Sequence, residues 1–410
     1  MHSSDSTWAT SNTGLSSRHM RGLAVVPGAP NTLFTGYWDE TPFESSPLVM
    51  TRDGGAQWQA VLTDEVEYVR SLALNPTTAA QPSAMTLYAG GRNLRTPFGE
   101  PTRGPLFRSD DSGQNWVRLE SGLPSGSVAG STISPLIRDI AVDPRSCAAP
   151  PALGRCRSGP LQRVFALTST EGWRVFRSDQ RGDNWVSGDA ADSGLPRYTY
   201  VVNVYEAIYP IDLEVTADGE VFLSTRYTGE ADDGTPIQPV MRSGVFRSTD
   251  GGLHWQQRSN GLPLLPGASQ THPDVAAIAA HPRRSGVLWA AAGIDMEPSR
   301  VYKTVDGGAT WLPSGALFAD CSIRDLQVDL AAPDVVYAAG TGVGFASACV
   351  YRSEDGGANW TRVGGNAPFG TIHQLGLDER DHSRLRVSTD QGIWELRDAP
   401  ERIFIDGFSH

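Results

Sequence analysis

Short apolar runs, each closed by a turn-forming cluster, recur along the chain in a fixed order. The first kind begins with a polar residue and often ends in proline, as in Arg21-Gly-Leu-Ala-Val-Val-Pro27, Arg70-Ser-Leu-Ala-Leu-Asn-Pro76 and Arg138-Asp-Ile-Ala-Val-Asp-Pro144. A second, rich in β-formers, follows it: Thr86-Leu-Tyr-Ala-Gly90, Val287-Leu-Trp-Ala-Ala291 and Val335-Val-Tyr-Ala-Ala339 are examples. A third, such as Gly244-Val-Phe-Arg-Ser248, leads into a polar turn. Runs of this length with alternating apolar character, bounded by Gly, Pro, Asn and Asp, predict β-strands, and no stretch carries the longer period of an amphipathic helix.

The polar turn itself repeats. Thr51–Trp58, Ser109–Trp116, Ser178–Trp185, Ser248–Trp255, Thr304–Trp311 and Ser353–Trp360 all read Ser/Thr-x-Asp-x-Gly-x-x-Trp, except that Gln180 replaces the aspartate of the third. Successive tryptophans lie 58, 69, 70, 56 and 49 residues apart, lengths that fit one four-stranded propeller blade with loops of variable size. The motif has the chemistry of a hairpin turn: hydroxyl and carboxylate accept backbone N–H groups, glycine supplies positive φ, and tryptophan opens the outgoing strand as a packing plug. Asp53, Asp111, Asp250, Asp306 and Asp355 are therefore read as structural, since one active site does not need six copies.

After the sixth motif three strands remain, Ile372–Leu377, Leu385–Ser388 and Gly392–Leu396, with no turn motif behind them. The missing fourth strand stands at the other end of the chain, where Trp8-Ala-Thr-Ser-Asn-Thr-Gly14-Leu15 resembles Trp255-Gln-Gln-Arg-Ser-Asn-Gly261-Leu262. The expected fold is all-β: a single seven-bladed β-propeller of four-stranded blades over residues 1–397, closed by residues 1–14 completing blade seven, with 398–410 as a C-terminal tail.

This pattern resembles the Asp-box (BNR) repeat propellers, a group that includes sialidases, xyloglucan-active glycoside hydrolases, sortilin-type receptor propellers and photosystem II assembly factors. The resemblance covers nearly the whole chain and implies the fold. It leaves activity open, because members use one scaffold for different ends. Sialidase-like proteins typically have six blades and an early Arg-Ile-Pro element, which is absent here. Xyloglucanase-like enzymes set their acidic pair between two propellers, where this chain has one. The subfamily is not assigned.

Composition narrows the partners. Thirty-four basic and 46 acidic residues give a net charge of −12, which argues against a broad grip on nucleic acid or anionic lipid. Lys303 is the single lysine, so a P-loop is excluded, and no apolar run is long enough to insert in a membrane. The eight histidines show no ligand spacing, and neither a metal nor a cofactor is expected. Four cysteines fall into two pairs, Cys147 with Cys156 and Cys321 with Cys349, for which disulfides are favoured over free thiols or metal ligation. Bridged cysteines place the protein in a secreted or periplasmic setting.

Propeller topology puts the loops entering the first strands, and those joining the second and third, on one face opposite the turn motifs. The long segments gather on this top face, the usual place for binding residues. Arg21, Arg70, Arg138, Ile211, Ala276, Arg324 and His373 occupy the first position of the seven inner strands, so four arginines and a histidine are expected to ring the channel mouth. Such a ring suits a carboxylate, sulfate or phosphate, for instance on an acidic sugar; the alternative is that each arginine pairs with an acid such as Asp139 or Asp325 and staples blades. Trp38 and Tyr205 offer aromatic surfaces for a sugar, and Asp39, Glu206 and Asp212 are candidate catalytic carboxyls among the top-face acids.

The reading is thus a secreted propeller that binds a glycan or other anionic ligand on its top face. Cleavage by a glycoside hydrolase-like or polysaccharide lyase chemistry is left open. The alternative is a non-catalytic scaffold for protein–protein recognition or assembly.

Overall fold

The computed structural model describes residues 7–13, 15, 19–37, 48–63, 66–78, 84–93, 106–123, 126–128, 131–133, 136–151, 154–168, 174–188, 193–195, 208–227, 242–265, 272–294, 296–345, 347–378 and 384–397. Seven four-stranded antiparallel sheets form the blades of a closed ring. Their inner strands are Met20–Val25, Val66–Leu74, Ile137–Val142, Ile208–Val215, Asp274–Ala280, Cys321–Val328 and Ile372–Leu377, for blades one to seven in order. Each packs on the inner strand of the next blade, and the seventh packs on the first. A short hairpin, Gly126–Val128 with Ser131–Ile133, stands between blades two and three, and the helical content of the described residues is one 3-10 turn at Val343–Phe345.

Blade seven is composite. Thr7–Thr10 pairs antiparallel with Gly392–Arg397, Trp8 opposite Leu396, and so supplies the outer strand to three strands from the other end of the chain. Ile393 N donates to Asn12 Oδ1 at 2.7 Å, and Trp8 Nε1 donates to Gly364 O of blade six at 2.8 Å. The closure gives blade seven the four strands that the other blades have.

The turn motifs form as their chemistry dictates. In five of the six, the aspartate Oδ1 accepts the hydroxyl of the leading Ser or Thr and a backbone N–H four residues on, as for Gln57 to Asp53 (2.9 Å) and Asn359 to Asp355 (2.9 Å). The leading hydroxyl accepts in turn from the motif glycine, 2.8 Å for Gly357 to Ser353. That glycine needs the left-handed region: φ is 95° at Gly55 and 92° at Gly182 and Gly357. In the third motif Ser178 Oγ still accepts from Gly182 N at 2.9 Å, but Gln180 offers no carboxylate to the N–H groups that follow.

Two contacts, each made in several blades, tie motifs to their neighbours. In blades one, five and six the motif tryptophan donates its indole N–H to the preceding blade, from Trp58 to Ser11 O (2.8 Å), Trp311 to Arg258 O (2.7 Å) and Trp360 to Ser314 O (3.0 Å). A base on the third strand of one blade donates to the turn of the next: Arg177 Nη1 to Gly251 O at 2.9 Å, and Lys303 Nζ to Gly356 O at 2.8 Å. The core lies between blades, where apolar faces of adjacent sheets interdigitate; Phe34, Met50, Val69, Leu87 and Phe107 of blades one and two are one such layer.

Both expected disulfides are present. Cys147 and Cys156 close a loop after the inner strand of blade three, with Cα atoms 6.1 Å apart. Cys321 and Cys349, 5.8 Å apart, join the starts of the first and third strands of blade six.

Candidate functional site

In all seven blades the pairing of the first and second strands slips near the top of the inner strand. Blade three shows the form: Ile137 pairs with Thr168 and Asp139 with Leu167, so Arg138 is one residue too many. Arg70, Ala276, Arg324 and His373 occupy the same extra position in their strands, and Arg21 falls within the slipped step of blade one. A bulge breaks the alternation that would send successive side chains to opposite faces, so two neighbours can share one face. Here the arginine and the acid after it, Arg138 with Asp139 and Arg324 with Asp325, both line the channel.

The upper part of the channel is a cavity of 210 Å³. Arg21, Arg70, Arg138, Arg324 and His373 all stand on its wall, and Asp139, Asp212, Asp325 and Gln374 form its floor. Below that floor the channel widens to 410 Å³, lined by Glu214, Gln327, Asp329, Asp378 and Arg155 among alanines, leucines and valines. The basic ring therefore lies above an acidic one.

Each floor residue is held by the neighbouring blade. Ile140 N donates to Ser71 Oγ (3.0 Å), Leu213 N to Asp139 Oδ2 (2.9 Å), Ile278 N to Asp212 Oδ2 (2.6 Å), Leu375 N to Asp325 Oδ2 (2.6 Å) and Leu23 N to Gln374 Oε1 (2.8 Å). These side chains bridge five of the seven blade junctions at the channel. Glu214 repeats the contact one layer down, accepting from Ala280 N at 3.2 Å. The acids do staple blades, then, but through backbone amides of the next inner strand.

Protein encloses these carboxyls on every side although each keeps part of its surface open to the channel. Desolvation, the largest cause, pushes Asp325 and Glu214 up to about 7. Asp139 is raised by the same burial, and Asp212 is driven well up by burial and by the adjacent Asp139 charge. Asp139 and Asp212 are hydrogen-bonded to each other, so their titrations are coupled.

The basic ring is also perturbed. Burial and the neighbouring Arg70 lower Arg21. His373, whose Nδ1 lies 3.3 Å from Arg21 Nη1, is pushed far below the usual imidazole range by burial and then by Arg21, Arg324 and Arg70; it is neutral at physiological pH. Arg324 Nε donates to Thr341 Oγ1 at 2.8 Å, which fixes its direction along the cavity wall. Arg226 and Asp274 form an ion pair of 3.0 Å at the rim.

Of the sequence candidates, Arg21, Arg70, Arg138, Arg324 and His373 are thus brought together in one cavity, and Asp212 lies on its floor, on an inner strand rather than on a top-face loop. Trp38, Asp39, Tyr205 and Glu206 lie outside the described residues. The floor ring of Ser71, Asp139, Asp325 and Gln374 was not singled out as a set by sequence reasoning; its signal is the residue that follows each first-position residue. Among the described residues no group of three or more His, Cys, Asp or Glu is arranged to hold a metal ion.

No protein-family model matches the sequence, and no curated protein matches it. Solved structures are similar in fold. YCF48 from Cyanidioschyzon merolae is 16% identical, with a TM-score of 0.53 over 95% of this chain and 99% of that one. A YCF48 bound to a D1 peptide is 14% identical, with a TM-score of 0.54 over 98% of both chains. The Niastella koreensis GH74 enzyme is 14% identical, with a TM-score of 0.52 over 92% of this chain and 65% of that one. All are seven-bladed β-propellers, and at these identities the likeness extends to the fold alone.

Proposed function

We propose that the chain is an exported Asp-box propeller that binds an anionic ligand, an acidic glycan in the first instance, end-on at the arginine-lined mouth of its channel. One observation carries the reading: four inner strands each deliver an arginine through a backbone bulge to a single 210 Å³ cavity. Guanidinium groups pair with carboxylates and sulfates in two-point contacts, and partial desolvation strengthens them. The cavity is smaller than the roughly 300 to 1,000 Å³ of sites that enclose a whole drug-sized ligand. It suits the end of a chain, such as one uronic acid residue, with the rest of the ligand outside the cavity.

Cleavage would require a carboxyl pair flanking the bond. Asp212 is the one candidate lining the cavity, raised by burial and by the adjacent Asp139 charge, and Asp39 or Glu206 would have to complete the pair. Asp212 already accepts the Ile278 N–H, which favours binding without turnover. Export is supported by two disulfides, and among the described residues no helix is long and apolar enough to cross a membrane.

A second reading, recognition of a polypeptide, is favoured by the similar propeller of equal length that was solved with a peptide bound. A C-terminal carboxylate offers the same anion to the same arginines. Titration of the protein against polyuronates, sulfated oligosaccharides and peptides with free or amidated C-termini separates the two. The glycan reading expects binding of an acidic glycan that Arg70→Ala and Arg138→Ala weaken without lowering Tm. Binding confined to free-carboxylate peptides would replace it with the second reading, and a fall in Tm without any effect on binding would make the arginines structural.

A further inference from the structure

The cavity contains two charged layers in direct succession, and only one of them can change charge near neutrality. On the wall, blade one contributes Arg21, blade two Arg70, blade three Arg138, blade six Arg324 and blade seven His373. On the floor, blade three contributes Asp139, blade four Asp212 and blade six Asp325; blade two and blade seven add the uncharged Ser71 and Gln374. Arg226 of blade four and Asp274 of blade five neutralise one another at the rim. Asp390 and Tyr68 reach Arg21 electrostatically, His19 reaches His373, and Glu214, opposed by Arg155, lies one layer below the floor.

With the rim pair set aside, four guanidinium groups face three carboxyls. Ionised carboxyls on the floor lower the positive field at the mouth, and protonating them raises it, whatever other partners the guanidinium groups keep. An arriving anion also repels the carboxylates beneath it and so favours their protonation, which by linkage means that protonation favours the anion. The bulge makes this coupling short-range, because Arg324 and Asp325, like Arg138 and Asp139, are consecutive residues facing the same space.

We propose that anion binding at this mouth is coupled to proton uptake by the carboxyl floor, with Asp325 as the principal switching group, so that the site fills in mildly acidic surroundings and empties as the pH rises past neutrality. The inference rests on the anion-mouth reading and adds its regulation. Asp325 is the natural switch because it lines the cavity beside Arg324 and burial places its titration at about 7, whereas Asp139 and Asp212 titrate as a coupled pair and Glu214, also raised to about 7, lies one layer below the floor. His373 is held well below the usual imidazole range by burial and by Arg21, Arg324 and Arg70, so it is not the group that changes charge as pH rises past neutrality. A mouth built from arginines alone would be indifferent to pH between 5 and 8, because guanidinium groups stay charged.

The test is calorimetric titration of the full chain with sodium sulfate, whose charge is constant over this range, at pH 5.5, 6.5 and 8.0 and fixed ionic strength. At pH 6.5 the titration is repeated in two buffers of different ionisation enthalpy, so that protons taken up per sulfate are counted. Binding should weaken by about tenfold from pH 5.5 to 8.0, the change expected when one site shifts by about one pKa unit on binding, with net proton uptake at pH 6.5. Asp325→Asn keeps the acceptor for Leu375 N and mimics the protonated acid, so its binding should stay near the low-pH value throughout and its proton uptake should fall. Sulfate binding that Arg70→Ala abolishes but that is the same at all three pH values would overturn the coupling and leave the mouth reading intact. The same dependence in Asp325→Asn as in the parent would remove Asp325 from its role. An absence of sulfate binding at every pH would overturn both.

Discussion

Arg386 and Glu395 face each other across the second and third strands of blade seven, with Nη2 and Oε2 2.8 Å apart and side chains 0% and 1% exposed. In five other blades the same cross-strand pair is an aromatic ring beside a base: Tyr88 with Arg108, Phe165 with Arg177, Phe222 with Arg247, Trp289 with Lys303 and Tyr337 with Arg352. Blade one has Phe34 with Met50. The ring fills the space between sheets while the base lies over it, 4.9 Å from Lys303 Nζ to the Trp289 centroid, and extends to the next turn. Blade seven has reversed the arrangement, putting the cation in the ring's place and an acid in the base's place, and Arg397 Nε adds a second contact to Glu395 at 2.5 Å.

A buried pair of this kind contributes little in itself but is costly to break, because the surviving charge has no water to return to. Glu395→Ala should therefore destabilise the protein by about 3–5 kcal/mol. The double change Arg386→Phe with Glu395→Met, which copies blade one, should recover most of that loss. Chemical denaturation of the three proteins decides the matter; a double variant as unstable as Glu395→Ala would mean that the pair is needed for more than charge balance.

The channel acids make a prediction about pH. Glu214 and Asp325 titrate at about 7 in the fold and near 4 in an unfolded chain, and Asp212 and Asp139 are raised as well. Between those limits the folded protein holds protons that the unfolded chain has released. The stability this provides is fully present below pH about 4 and is lost as pH rises through about 7. The turn-motif aspartates act with the opposite sign: Asp250 and Asp355, lowered to about 2 by hydrogen bonds from the turn, add stability above pH about 4 that disappears as pH falls toward 2. The two sets together put the maximum at about pH 4, because the channel acids already lose stability from there up to about 7. Tm measured across pH 3 to 9 should fall on both sides of that maximum, most steeply on the alkaline side between pH 4 and 7; a curve that rises steadily from pH 5 to 8 would contradict the raised values in the channel.

Much of this architecture is legible in the sequence because it is written six times. The turn motif needs a hydroxyl, a carboxylate, a glycine with positive φ and a tryptophan at fixed offsets, and each demand is local, so Thr51–Trp58 and Ser353–Trp360 announce themselves without knowledge of the rest. The split blade is legible for the same reason, since the segment after Trp8 matches the segments after Trp116 and Trp255. The arginine ring follows from aligning the inner strands. The bulges are not legible: a register slip depends on how two strands pair, and nothing in Arg138-Asp139 says that both side chains will face one way. For the same reason Asp212 reads as a loop acid, and Asp139 and Asp325 read as partners for arginine, when their oxygens accept amides from blades distant in sequence. Arg386 lies in a run, Leu385-Arg-Val-Ser388, and nothing local in that run says that the arginine will be fully buried against Glu395.

The closure itself can be tested by moving the strand rather than only removing it. Deleting residues 1–13 takes away Thr7–Thr10, the indole bond from Trp8 to Gly364 O, the Asn12 acceptor for Ile393 N and the Ser11 carbonyl that receives Trp58. It also exposes the edge of Gly392–Arg397 and uncovers the apolar layer in which Trp8 packs edge-on against Phe369, 5.1 Å between centroids. The truncated chain should lose its cooperative melting transition or aggregate. If the cause is the missing strand and not the missing residues as such, restoring residues 7–15 behind Arg397, joined by a turn copied from Ser353–Asn359, should rebuild blade seven in one continuous stretch, as the other six blades are built. Recovery of a single sharp transition in that rearranged chain is the expected result. A truncated chain that melts like the parent would show that the ring holds without its clasp, and a rearranged chain that stays unfolded would show that the N-terminal segment does something beyond completing the sheet.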